Sequence, residues 1–199
     1  MTKLLYQGHG SLRLTTNAGT VVYVDPFMGE GYDVAANLVL VTHQHYDHTD
    51  INKMPHAPGC VVWQNMDAHP SPDSYVTHVF GDVEVEGTEA YNAHHPKDEC
   101  VGYLVRVDGL TLYFAGDTSQ TEQMERLAAE GVDYAFLPGD GIYNMSVEGA
   151  ARCAKIIGAR HNVPIHLKPV QPYGEEQARR FAKLAPRALL VRAGQTIEL

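Results

Sequence analysis

Three imidazoles and a carboxylate fall within six residues, His43-Gln44-His45-Tyr46-Asp47-His48. They directly follow Leu38-Val39-Leu40-Val41-Thr42, a short apolar run that reads as a buried strand. A strand ending in so dense a set of ligand side chains presents several of them to one cleft. The fold must therefore leave that strand end open. Neutral imidazole and carboxylate are the donors expected for Zn, Mn or Fe. The bland alternative is a polar loop that happens to be rich in histidine, and segments downstream weigh against it. Ala90-Tyr91-Asn92-Ala93-His94-His95-Pro96-Lys97 carries two more histidines. Tyr113-Phe114-Ala115-Gly116-Asp117-Thr118 is an apolar strand running into Gly-Asp, where Gly116 permits a tight turn that aims Asp117 over the strand ends. Val163-Pro164-Ile165-His166 ends in the same way. His43, Asp117 and His166 thus each stand where an expected strand stops, a repetition that chance does not readily give.

At 199 residues one domain spanning 1–199 is expected, with room for a sizeable core. The net charge of -9 argues against nucleic acid or an anionic membrane as a partner held by bulk attraction. It does not exclude an anionic substrate, because bound cations reverse the sign inside a site. Cys60, Cys100 and Cys153 are widely spaced and form neither a disulfide framework nor a CxxC zinc site, so each reads as a small apolar side chain. The start of the chain carries too short an apolar stretch for a signal peptide, and no run approaches a membrane span. A reducing, cytoplasmic setting fits best.

Strand signals dominate the first half. Lys3–Gln7, Ser11–Thr16 and Thr20–Val24 read as a meander with a turn at 17–19, and Asp25-Pro26 closes the third strand. Phe27–Ala36 is a loop, Leu38–Thr42 a strand, Pro55–Pro58 a loop and Cys60–Gln64 a strand, before a turn over Pro70–Ser74. Tyr75–Phe80, Val83–Glu86 and Thr88–Asn92 follow as strands, and Val101–Val107 and Leu110–Ala115 form a hairpin around Asp108-Gly109. The second half alternates: helix Gln120–Glu130, strand Tyr134–Leu137, helix Ser146–Ile157 capped by Ser146, strand Val163–His166, helix Gly174–Leu184 and strand Ala188–Val191. Meanders followed by alternation suggest two facing sheets with helices outside.

The order HxHxDH, then His, then Gly-Asp, then His resembles the metallo-β-lactamase superfamily across nearly the whole chain. Gly8-His9-Gly10-Ser11 resembles its GHxS strand start and Val24-Asp25-Pro26 its DP turn. Ala90-Tyr91-Asn92 with His95-Pro96-Lys97, Gly102-Tyr103, Ala115-Gly116-Asp117-Thr118 and Leu137-Pro138-Gly139 resemble one branch of small metal-dependent hydrolases, similar to the L-ascorbate-6-phosphate lactonase group. The segment between Asn92 and His95 is shorter than that branch usually shows. The implied fold is α/β, a four-layer αβ/βα sandwich of two mixed sheets flanked by helices. The implied cofactor is a pair of divalent ions, zinc first, with Mn, Fe or Ni as alternatives. By resemblance His43, His45 and His95 hold one ion, Asp47, His48 and His166 the other, and Asp117 bridges; His94 rivals His95. Asp25 either orients a ligand imidazole or simply makes the Asp-Pro turn. His9 either lines the cleft or packs in its turn.

A two-metal site of this kind readies hydroxide at neutral pH and polarises the scissile bond. Asp47 and Asp117 are then the catalytic carboxylates, with Asp47 also able to exchange a proton. The expected reaction is hydrolysis of a small-molecule ester, lactone or phosphodiester. The loop Pro138–Met145 is expected at the cleft, with Asn92, Tyr143 and Lys168 as substrate contacts and Lys97 nearby. Trp63 is expected in the core, and His56, His69, His78 and His161 receive no role. Two alternatives are a nuclease or phosphodiesterase of the same fold, which would want a basic surface, and a noncatalytic metal-binding regulatory protein. A redox di-iron site would want a flavin partner domain and carboxylate-richer ligation. A homo-oligomer is left open.

Overall fold

The computed structural model describes residues 1–72 and 74–199. The elements run β1 (Lys3–Gly8), β2 (Ser11–Thr15), β3 (Val21–Val24), β4 (Ala36–Val41), β5 (His56–Gln64), α1 (Asn65–Ala68), β6 (Thr77–Phe80), β7 (Val83–Glu89), β8 (Val101–Val107), β9 (Leu110–Phe114), α2 (Gln123–Leu127), β10 (Tyr134–Pro138), α3 (Val147–Ile157), β11 (His161–Ile165), α4 (Glu175–Leu184) and β12 (Gln195–Glu198). Two six-stranded sheets result, ordered β12-β1-β2-β3-β4-β5 and β11-β10-β9-β8-β7-β6. Both are mixed, as expected. β3, β4 and β5 run parallel in one, β9, β10 and β11 parallel in the other, and the remaining pairs are antiparallel.

Side-chain alternation builds the layers. Leu4, Tyr6, Leu12, Leu14, Leu38 and Leu40 from the first sheet meet Val83, Val85, Tyr103, Val105, Leu112 and Phe136 from the second in one buried cluster. Trp63 joins this core, as expected. The intervening residues of the second sheet, Leu104, Tyr113, Ala135 and Leu137, face outward and pack under α2, α3 and α4 through Met124, Ala150, Cys153, Ile157 and Phe181. The first sheet's outer face is instead covered by loop residues, with Tyr32 and Met54 seated on Tyr23, Val39 and Val41. The long helices thus lie on one side.

The hairpin at Asp108-Gly109 has both residues at positive φ, 53° and 79°, the twist a tight two-residue turn requires. Ser146 caps α3 through its side chain, which accepts the Gly149 N–H at 3.2 Å. Several boundaries move. β5 begins at His56 and passes through Pro58, which is tolerated because β5 is an edge strand. Val83–Glu89 is one strand through Gly87, where a Cβ would lie 2.8 Å from the Ala68 carbonyl oxygen. The expected Gln120–Glu130 helix shrinks to Gln123–Leu127, since only Met124 and Leu127 find a place in the core. Ala188–Val191 makes only a single bridge, Ala188 to Asn162. The closing strand is β12, a polar segment paired with β1. The turn expected over Pro70–Ser74 includes Asp73, outside the described residues.

No described helix is long and apolar enough to cross a membrane. Cys100 and Cys153 are buried and Cys60 is partly exposed. Burial pushes the Cys100 and Cys153 thiols up to about 12 and about 11. A thiol reagent at about pH 8 is therefore expected to label one cysteine rapidly in the native chain and all three after denaturation. Rapid labelling of Cys100 or Cys153 in the native protein would contradict this packing.

Candidate metal centre

The carboxyl ends of β3, β4, β9, β10 and β11 converge on one mouth. Each delivers a residue within three positions of its end: Asp25, His43, Asp117, Asp140 and His166. This is where ligands bind in sheets with parallel strands. The turns are tight. Asp25 and His166 both take φ of 46°, and Gly116 takes 63° with the Val101 carbonyl only 2.7 Å from where a Cβ would sit.

Asp117 is the hub. Its carboxylate lies 3.6 Å from His48 Nε2 and 3.4 Å from both His95 Nε2 and His166 Nε2. Ligand atoms of His43, His45 and His95 cluster on one side, those of His9, Asp47, His48 and His166 on the other, and His43, His48 and Asp117 link them. All seven expected ligand positions are thus brought together. His95 is buried among them, whereas His94 is exposed and edge-on to the Tyr143 ring at 5.7 Å. His9 is fully buried, its Nε2 3.1 Å from Asp47 Oδ2 and its ring 3.7 Å from that of His166.

Every buried imidazole of the cluster except His9 turns Nδ1 toward an acceptor. His48 Nδ1 faces Asp25 Oδ2 at 2.9 Å and His166 Nδ1 faces Asp140 Oδ2 at 3.0 Å. His95 Nδ1 faces Asn92 Oδ1 at 3.0 Å. His43 Nδ1 lies 3.0 Å from Thr42 Oγ1, whose single proton goes to Asp25 Oδ2 at 2.7 Å, so His43 must be the donor. Each ring therefore carries its proton on Nδ1, and the lone pair of the neutral form is on Nε2. The Nε2 atoms of His43, His48 and His166 are buried without a hydrogen-bond partner. An unsatisfied polar atom in this setting is costly unless something binds it. Soft-to-borderline nitrogen donors beside carboxylates are the donor set of a transition-metal site, and the residues fit one.

The electrostatics agree. Burial, reinforced by the neighbouring imidazoles, holds His43 well below its usual value, so it is a neutral donor at pH 7. Burial lowers His95 likewise. Burial would also lower His48, but Asp117 and Asp25 overcome it and hold His48 up at about 9. Asp117 and Asp140 raise His166 in the same way. For Asp117 burial acts upward, yet the four surrounding imidazoles together keep it ionised far below the usual carboxylate range. In the protein alone, protons supply the positive charge this acidic cluster requires.

Asp140 and Asn144 lie in the loop expected at the cleft but receive no individual role from the sequence, which marks Thr42 only as a strand end. Asp140 Oδ1 accepts the N–H groups of Ile142, Tyr143 and Asn144 at 2.6, 2.8 and 3.1 Å, which fixes the loop. Asn144 Nδ2 donates to both Asp117 Oδ2 and Asp140 Oδ2. One signal was available: Asp140 follows a strand end just as Asp117 does. Of the expected substrate contacts, Tyr143 lines the cleft above the cluster, a space of about 310 Å³. Asn92 instead braces His95 and donates to the Tyr143 carbonyl. Lys168 lies beside Gly174 and off the lining, and Lys97 pairs with Glu89 at 2.9 Å.

Two facing mixed sheets with a His/Asp cluster across their strand ends define a metallo-hydrolase of the β-lactamase type. The profile described as Beta-lactamase superfamily domain matches residues 3–166. A UPF0173 metal-dependent hydrolase of Rubrobacter xylanophilus is 32% identical, with 92% of this chain and 89% of that protein covered. Another from Pyrococcus furiosus is 27% identical over 100% of each. A Parabacteroides distasonis crystal structure, named from an inferred metal-dependent hydrolase activity, superposes with a TM-score of 0.81 at 25% identity, covering 98% of this chain and 94% of the other. The chain belongs to the metallo-β-lactamase superfamily, with the UPF0173 metal-dependent hydrolases as its relatives, and is a metal-dependent hydrolase.

Proposed function

We propose that the protein hydrolyses a small-molecule ester, lactone or phosphodiester at a dinuclear site, with zinc as the first metal to test. The observation that carries this reading is the set of buried imidazoles, each with Nδ1 facing an acceptor, of which His48, His95 and His166 aim Nε2 at Asp117 and His43 leaves Nε2 without a hydrogen bond. His43, His45 and His95 form one half of the site and Asp47, His48 and His166 the other, with Asp117 shared. Divalent ions held there would supply Lewis acidity, polarising the scissile bond and lowering the pKa of water.

The chain's own groups do the rest. Asp25 and Asp140 orient His48 and His166 and keep their Nε2 atoms aimed inward. Asp47 lines the mouth, partly buried and held by His9, so it is placed to pass a proton between the cleft and solvent. The substrate is a small molecule, since the chain is acidic and the cleft holds only about 310 Å³.

The test pairs metal analysis with turnover. After reconstitution with zinc, manganese or iron, the protein is assayed against ester, lactone and phosphodiester panels. His95→Ala is expected to lower metal content per chain, measured by plasma emission, by at least half an equivalent. His94→Ala is expected to leave it unchanged, because His94 points at Tyr143 and solvent. The opposite ranking would move the ligand by one position. No turnover on any panel by fully loaded protein would favour a noncatalytic metal-binding role.

A further inference from the structure

The floor of the cleft is polar, but its walls are not. Tyr46, between His45 and Asp47, is 68% exposed; Tyr143, on the loop after β10, is 50% exposed; Val170, on the loop after β11, is 53% exposed. All three line the cleft. Single exposed apolar residues need no explanation, but three from separate loops meeting at one mouth form a patch. The rings are braced: Tyr46 stands edge-on to Phe27 at 5.8 Å and Tyr143 edge-on to His94 at 5.7 Å. Val170 adds an independent observation. It is β-branched yet sits at φ 51°, a left-handed conformation such residues adopt only at a cost in energy. Burial does not offset that cost: the strained residue presents its apolar group at the mouth and not in the core.

Charge narrows the class of ligand. Among the described residues lining this cleft there is no lysine or arginine, and two of the lining groups, Asp47 and Asp117, are carboxylates. Of the nearby lysines, Lys97 pairs with Glu89, Lys53 with the Phe27 carbonyl and over the Tyr32 ring, and Lys168, which precedes the lining residue Pro169, packs beside Gly174 off the lining. An anionic group lodged among Tyr46, Tyr143 and Val170, at the mouth and away from ions held on the floor, would lose water and gain no side-chain counter-charge. We infer that these three residues form an apolar collar that takes an uncharged alkyl or aryl group of the substrate. The protein thereby selects carboxylic esters and lactones bearing such a group over substrates with a phosphate or other anion at that end. The inference rests on the hydrolase reading for the bond cleaved, but not for the group bound.

The test separates the two. Isothermal titration of the metal-loaded protein with N-phenylhexanamide, and with its isostere ending in a sulfonate at the far carbon, reads the collar without turnover. Sulfonate is a weak metal ligand, so its charge reports on the collar and not on the floor. The neutral amide is expected to bind at least about tenfold tighter, with affinity rising about twofold per added methylene, because a fully buried methylene is worth about fourfold and this cleft is open on one side. Tyr46→Ala with Tyr143→Ala is expected to reduce the ratio to about twofold or less, while Tyr46→Leu with Tyr143→Leu keeps it. Thermal melting confirms that each variant is folded. Equal or tighter binding of the sulfonate, or a ratio untouched by the alanine pair, overturns the collar. Selective amide binding with no ester, lactone or phosphodiester hydrolysed leaves the collar standing and overturns the hydrolytic reading instead.

Discussion

Asp117→Ala is expected to abolish hydrolysis and to release at least one metal equivalent per chain. Among the described residues its carboxylate is the one acid in contact with imidazoles from both halves of the cluster, at 3.4–3.6 Å from His48, His95 and His166. No neighbour can replace it, since Asp25 and Asp140 are committed to the far sides of His48 and His166. Asp117→Asn keeps the shape and removes the charge, and is expected to behave alike. Full metal content by plasma emission in either variant would contradict the shared role. The metal-free protein gives a second readout. His48 is held at about 9, above its unfolded value, so its pairing stabilises the fold fully below about pH 6.5. That contribution fades as pH rises through about 9. Asp117→Ala is therefore expected to lower the metal-free melting temperature more at about pH 6 than at about pH 10. An equal drop at both would mean that the pair carries no such linkage.

Metal removal is expected to produce the largest change in stability. Ions that bind the folded chain and not the unfolded one stabilise it by mass action, about 4 kcal/mol at a thousandfold excess over Kd. For a domain of this size each kcal/mol moves Tm by about 2–4 °C, so chelation should lower it by roughly 8–16 °C. The structure explains why the effect should be large. The buried Nε2 atoms of His43, His48 and His166 make no hydrogen bond, and the acidic hub must otherwise keep protons on His48 and His166. Calorimetry of the dialysed and reconstituted protein reads this without any substrate. A Tm that does not respond to divalent ions would mean that the cluster is satisfied by itself.

The pattern of strands was legible where burial alternates or runs continuous. β1 to β4, β8, β9 and β10 fall within a residue or two of their expected positions, and α3 starts at its expected cap. β12 was not legible, because Gln195–Glu198 is mostly polar and exposed and is held by its pairing with β1 and by Ile197 alone against the core. The α2 helix was over-read, because helical composition extends well beyond the two residues that the core accepts.

The same division holds for the site. The chain's local chemistry, with His43, Asp117 and His166 each placed after an apolar run and His43 to His48 in one cluster, was enough to name the donor types and the strand ends that carry them. It left His94 and His95 as rivals and Asp25 and His9 each with two readings. Tertiary structure alone buries His95, sets Asp25 behind His48, seats His9 against Asp47 and adds Asp140 behind His166. The physical reason is that donor identity is a property of single side chains, whereas which ring nitrogen keeps its proton depends on acceptors supplied by other loops. Those loops meet only when two sheets close on a shared core, and no local periodicity records that meeting.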